Sequence, residues 1–184
     1  MTEASGAQLS GYGARNARQD AGDGGREHLS WQEFGRGALE LARSIHEDGY
    51  RPDIILSIAR GGMFVAAQLA YALGVKNLHL INVEYYTGEG IRKEFPVILP
   101  PPLSMVDLSD RQLLIADDVA DTGHTLALVE KVCRESVAEV RTAVLYEKPR
   151  SVVSCHYVWR RTDRWIVFPW SKDPPIGEGS PEQT

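Results

Sequence analysis

Leu113–Leu126 reads LLIADDVADTGHTL. An apolar run meets two adjacent carboxylates, Asp117 and Asp118, and a third, Asp121, precedes Thr-Gly-His-Thr. The pattern predicts a buried strand ending at Asp117–Asp118, a short loop, and a helix starting near Gly123 or His124. Ligands of an open α/β sheet bind beyond the carboxyl ends of its strands. The first turn of a helix has unpaired N–H groups and favours an anion. Thr122 and Thr125 add hydroxyl donors, and Gly123 lets the backbone approach a ligand closely. The second half of the stretch is therefore a candidate phosphate cradle. The carboxylates of the first half suit sugar hydroxyls or a Mg2+ ion. A phosphate next to a diol, as in ribose 5-phosphate, matches both halves. The same residues also allow a plain helix cap after a strand end that meets water. The Asp-x-Asp-x-Thr spacing of an aspartyl nucleophile is absent, as is the Gly-x4-Gly-Lys-[Ser/Thr] string of a P-loop.

Outward from this stretch, apolar runs alternate with amphipathic ones. Ser30 and Glu33 have capping-box spacing, with Leu29 and Phe34 as a hydrophobic staple. The helix that follows places Trp31, Phe34, Ala38, Leu41, Ala42 and Ile45 on one stripe and stops near Gly49. DIILSI is a short β-branched strand, MFVAAQLAYAL a helix ended by Gly74, and NLHLINVEYY a further strand. TGEGIRKEF is a polar loop, and Pro100, Pro101 and Pro102 cannot donate to a ladder. After the opening strand, HTLALVEKVCRES reads as a helix and VRTAVLYEKP as a strand. HYVWRR and RWIVFPW are strand-like aromatic pieces. Continuous apolar strands alternating with helices predict an α/β fold, a parallel sheet covered on both faces. Residues 1–27, without periodicity, are expected to be a disordered leader, 28–170 the domain, and 171–184 a flexible tail.

The length of 184 residues favours one domain with a substantial core. A hydrophobic share of 43% and a charged share of 24% are those of a globular protein. A net charge of -5 speaks against binding nucleic acid through bulk electrostatics. MTEASGAQLS has no apolar signal-peptide core, and no apolar run approaches the ~20 residues of a membrane span. Cys133 and Cys155 are far apart and lack metal-ligand spacing, which points to reduced thiols in a cytoplasmic protein.

LLIADDVADTGHTL resembles the phosphoribosyl pyrophosphate (PRPP) signature of the type I phosphoribosyltransferases. The resemblance implies a mainly parallel central sheet flanked by helices, with a small C-terminal hood. It implies that Asp117 and Asp118 hold the ribose hydroxyls, with Asp118 bearing on Mg2+. Thr122, Gly123, His124 and Thr125 would cradle the 5-phosphate, and Asp121 would manage a proton of the acceptor base. The family holds pyrophosphate on a second short loop, here Arg60 and Gly61 of ARGG. It also closes a mobile loop, here about Tyr85–Phe95, from which Arg92 or Lys93 could reach pyrophosphate. YEKPRS and DRWIVFPW are similar to the 6-oxopurine branch, closest to the xanthine-guanine type. There Lys148 would bond the purine's exocyclic oxygen, Trp165 would stack on the base, and the Ile166 backbone would read its edge. The implied reaction is Mg2+-dependent transfer of ribose 5-phosphate from PRPP to a purine. Partners would be PRPP and the base, with no membrane, and family members commonly form homo-oligomers. A PRPP-sensing regulator on the same fold, or an enzyme with another acceptor base, is the alternative.

Overall fold

The computed structural model of the chain describes residues 25–84, 87–88, 91–92, 97–98 and 108–176. Residues 1–24 of the expected leader, most of the expected mobile loop, Pro100–Pro102 and the end of the tail lie outside the described residues. Contacts divide the chain into a larger unit, Gln32–Asp163, and a smaller one from both chain ends, up to Trp31 and from Arg164 on.

The elements run β1 (Glu27–His28), α1 (Trp31–Glu47), β2 (Ile54–Ala59), α2 (Gly62–Leu73) and β3 (Leu78–Glu84). Three two-residue pieces follow, β4 (Thr87–Gly88), β5 (Ile91–Arg92) and β6 (Val97–Ile98). Then come β7 (Gln112–Ala120), α3 (His124–Arg134), β8 (Glu139–Glu147), β9 (Tyr157–Arg161) and β10 (Ile166–Val167). β4 pairs antiparallel with β5, so the expected polar loop carries a short ladder of its own.

In the larger unit five strands run parallel in the order β3-β2-β7-β8-β9, and β6 adds two antiparallel residues beside β3. β2 leads through α2 to β3 on one side, and β7 leads through α3 to β8 on the other. The topological switch therefore lies between β2 and β7, where an open sheet binds its ligand. Their register runs from Ile54↔Leu113 to Ser57↔Ala116 and stops there. On its other side β7 stays paired with β8 as far as Ala120↔Glu147. This corrects one expectation: the strand does not end at Asp117–Asp118. β8 holds the ladder, and the two aspartates stand on the part of β7 that outruns β2.

The strands are apolar on both faces because both are covered. Ile54, Leu56, Leu113 and Ile115 pack with Leu126, Val129 and Cys133 of α3. The intervening Ile55 and Leu114 are equally buried, on the face where α2 packs against β2 and β7. α2 stops where Gly74 takes the left-handed conformation, φ 72°, that its C-terminus needs. α1 buries Phe34, Ala38, Leu41, Ala42 and Ile45. Trp31, expected on that stripe, is 54% exposed. It is the first residue of the helix and belongs to the smaller unit, where its ring lies 5.8 Å from that of Trp170. Further along, α1 lies so close to β9 that a Cβ on Gly37 would stand 2.6 Å from the Trp159 ring, whereas one on Gly35 would meet nothing within 4 Å.

In the smaller unit β1 pairs in parallel with β10, Glu27↔Ile166 and His28↔Val167, so pairing starts at a residue that composition alone places in the leader. Phe168 stacks on Trp170 with ring centres 4.9 Å apart. No helix among the described residues is long and apolar enough to cross a membrane.

Candidate active site

Beyond β2 the chain turns through a cis Ala59–Arg60 peptide into α2, whose N-cap is Gly61. A Cβ on Gly61 would collide with the Asp118 carboxylate. One on Gly62 would stand 2.5 Å from the Ala116 carbonyl oxygen and 3.1 Å from Asp117 Oδ1. Glycine is required here by close approach. The ARGG loop and the two aspartates, far apart in sequence, thus touch at the switch between β2 and β7. Arg60 is exposed at the rim of this contact.

Asp117 is half-buried. Its Oδ1 accepts the Asp118 N–H at 2.9 Å, and the Gly62 N–H also donates to its carboxyl. Burial, and then the neighbouring Asp118 carboxylate, nevertheless hold the Asp117 carboxyl well above the usual carboxylate range. Two like charges side by side are relieved by a cation. Among the described residues no group of three or more His, Cys, Asp or Glu gathers into a metal cage. Mg2+ is commonly held by one or two carboxylates while substrate oxygens and water complete its shell. The Asp117–Asp118 pair fits that mode.

α3 begins at the other end of the motif. Its N-cap, Gly123, has φ 80° and supplies no side-chain cap. The Ala127 N–H donates to the Gly123 carbonyl at 2.9 Å. His124, Thr125 and Leu126 form the first turn of α3, the end of a helix that favours an anion. Thr122 and His124 are exposed and Thr125 is half-buried.

The loop after β8 packs on this turn. A Cβ on Gly123 would collide with Ser151 Oγ and stand 2.9 Å from Val153 Cγ2. The Lys148 N–H donates to the Ala120 carbonyl and the Val152 N–H to the Thr122 carbonyl, both at 2.9 Å. Lys148 itself is only 7% exposed, unusual for a lysine. Asp121 has a partner that sequence reasoning missed. Arg150 donates to its Oδ1 from Nε at 3.0 Å and from Nη2 at 2.5 Å, and to its Oδ2 from Nη2 at 2.6 Å. The only trace in the sequence is an arginine two residues after Lys148.

Trp165 and Ile166 belong to the smaller unit. Trp165 is 69% exposed, so it is no core tryptophan. The Glu27 N–H donates to the Trp165 carbonyl at 2.7 Å and the Leu29 N–H to the Val167 carbonyl at 3.0 Å. Ile166, between them, turns its own N–H and C=O toward the opposite edge of β10. Lys93 lies outside the described residues, and Arg92 is described only as part of β5.

Residues 26–174 match the phosphoribosyl transferase domain family, and the chain belongs to that family. The xanthine-guanine phosphoribosyltransferase of Gluconobacter oxydans (strain 621H) is 31% identical over 148 residues, 79% of this chain and 84% of that one. The protein of the same name from Nitratidesulfovibrio vulgaris is 33% identical over 147 residues, again 79% of this chain and 84% of that one. Among solved structures, the purine phosphoribosyltransferase from Pyrococcus horikoshii Ot3 has 37% identity and a TM-score of 0.72, covering 84% of this chain and 99% of that one. The mainly parallel sheet flanked by helices that the resemblance implies is the one found.

Proposed function

We propose that this protein transfers ribose 5-phosphate from PRPP to a ring nitrogen of a 6-oxopurine (hypoxanthine, guanine or xanthine) and releases pyrophosphate, a purine-salvage reaction. The observation that carries this reading is the contact of Gly61 with the Asp118 carboxylate at the switch point. It places a loop suited to pyrophosphate against carboxylates suited to ribose hydroxyls.

The roles follow from chemistry. The Gly123–Thr125 turn and the Thr122 and Thr125 hydroxyls hold the 5-phosphate. Asp117 and Asp118 take the two ribose hydroxyls. Arg60 offers a guanidinium fork to pyrophosphate oxygens, and Gly61 keeps the loop close. Mg2+, when bound, would neutralise charge on the departing pyrophosphate, with Asp118 as its protein ligand. As the bond from C1 of ribose to pyrophosphate breaks, positive charge grows on the sugar, and positioning and electrostatics lower the barrier. The new bond forms to the base nitrogen, and Asp121 takes the proton that the base must lose. Lys148 donates to the 6-oxo oxygen. Trp165 offers an exposed π face to the base, and the outward N–H and C=O of Ile166 suit its polar edge. The same reading carries a cytoplasmic, homo-oligomeric enzyme.

The test is pyrophosphate release from PRPP and Mg2+ with hypoxanthine, guanine, xanthine, adenine, uracil and orotate singly. Release with any of the first three is expected. Release only with the others would overturn the roles of Lys148 and Trp165. PRPP binding without release on any base would favour a regulator. Asp121→Asn is expected to lower turnover by ~10²–10⁴ with PRPP binding kept. Trp165→Ala is expected to raise the purine KM more than the PRPP KM, and an equal rise in both would mark a structural tryptophan.

A further inference from the structure

Arg150 stands outside every role given above, yet it is the residue that touches Asp121. Its guanidinium is set by its own loop. Lys148 and Val152, two residues to either side, are each bonded through their backbone N–H to the phosphate loop, at Ala120 and Thr122. Residues 148, 150 and 152 therefore engage residues 120, 121 and 122 in order, the outer two by main chain and the middle one by side chain.

A carboxylate offers about four acceptor sites, two on each oxygen. Nε and Nη2 of Arg150 approach from one side, with two contacts to Oδ1 and one to Oδ2, Nη2 being shared between the two oxygens. One direction on Oδ2 is left open, and the planar fork fixes the plane of the carboxylate about it. The pair is not there for stability: the Arg150 and Asp121 side chains are 64% and 42% exposed, and exposed ion pairs contribute little to folding. What the contact does fix is where an incoming proton can land.

We propose that Arg150 is a positioning residue for the reaction: it orients the Asp121 carboxylate so that Oδ2 presents its remaining lone pair to the acceptor base. The inference rests on the proton-accepting role proposed for Asp121. It adds that Lys148 and Arg150, carried on one loop, set the base's oxygen and the carboxylate's open site from a common anchor. The proton of the base passes to Oδ2 as the new bond forms, while Arg150 keeps its own protons.

A double-mutant cycle on turnover tests this. The kcat for pyrophosphate release is measured for the parent, Arg150→Met, Asp121→Asn and the double variant, with the PRPP Kd by calorimetry and Tm alongside. Arg150→Met is expected to lower kcat about tenfold in the parent and less than about twofold in the Asp121→Asn background, with Tm and PRPP Kd little changed. An unchanged kcat for Arg150→Met, or an equal loss in both backgrounds, overturns the positioning role and leaves Asp121 standing. If Asp121→Asn alone leaves kcat unchanged, the role of Asp121 falls and this inference falls with it.

Discussion

At the amino ends of the strands, Arg141 donates to Glu139 and to the Tyr157 hydroxyl at 2.6 Å each and also to Asp48, and its guanidinium lies 4.4 Å from the centre of the Tyr50 ring. At the carboxyl ends, Asp117 and Asp118 stand side by side against a glycine loop. In the first region opposite charges meet. Hydrogen bonds from Tyr157 and then Arg141 hold the Asp48 carboxyl below its ordinary range. The Tyr50 hydroxyl donates to the Leu113 carbonyl at 2.9 Å, and Asp53 accepts the Gln112 N–H at 2.9 Å. In the second region like charges meet, and Asp117 is pushed the other way. One end of the sheet is complete in the polypeptide alone. On the function proposed above, the other is the end that a ligand completes.

The strongest way to break that contrast is Asp118→Asn. It is expected to cut kcat for pyrophosphate release by ~10²–10³ while thermal melting stays within the parent's range. A variant that melts early with normal kcat would make the carboxyl end as structural as the amino end. Gly61→Ala should follow at about 10² in kcat, because its methyl collides with the Asp118 carboxylate and shifts it. Steady-state kinetics with PRPP varied would show the loss, and an unaffected enzyme would mean that the loop yields freely.

At the opposite end, Arg141→Met should lower unfolding stability by ~1–3 kcal/mol in urea titrations and leave the KM for PRPP unchanged, since it strips partners from Glu139, Tyr157 and Asp48. The smallest effect sharpens the contrast. A carboxyl whose folded pKa is raised binds its proton more tightly when folded, so its ionisation weakens the fold as pH rises through and above the ordinary carboxylate range. Asp117→Asn should therefore raise stability at neutral pH and weaken PRPP binding. The stability gain should shrink toward acid pH, which a melting series over pH would show.

The turn after Asp121 and the helix start at His124 were legible in the sequence because the stretch is contiguous and its chemistry local. The adjacency of β2 and β7 was not: it arises because the chain visits β3 before returning to the far side of β2, and only the family resemblance joined ARGG to the aspartates. The carboxylates were read as a strand terminus, yet a parallel neighbour can carry a ladder past charged residues when one side of the strand is open. Trp31 obeyed the helical period and still lay exposed, since period says nothing about where a covering surface stops. The Arg150–Asp121 pair follows no period at all. It depends on the path of the loop after β8, which two backbone hydrogen bonds settle only once the chain is folded.

The approach of α1 to β9 matters for engineering the protein. Two glycines two positions apart on one helix invite the same stabilising change, because glycine inside a helix costs about 0.5–1 kcal/mol relative to alanine. At Gly35 the methyl enters open space, and the gain should be realised in full. At Gly37 the same methyl would be driven into the face of the Trp159 indole, displacing a ring whose Nε1 donates to Glu40 at 2.7 Å. A substitution scheme built on helix propensity alone would treat the two positions as equivalent, and half of it would fail.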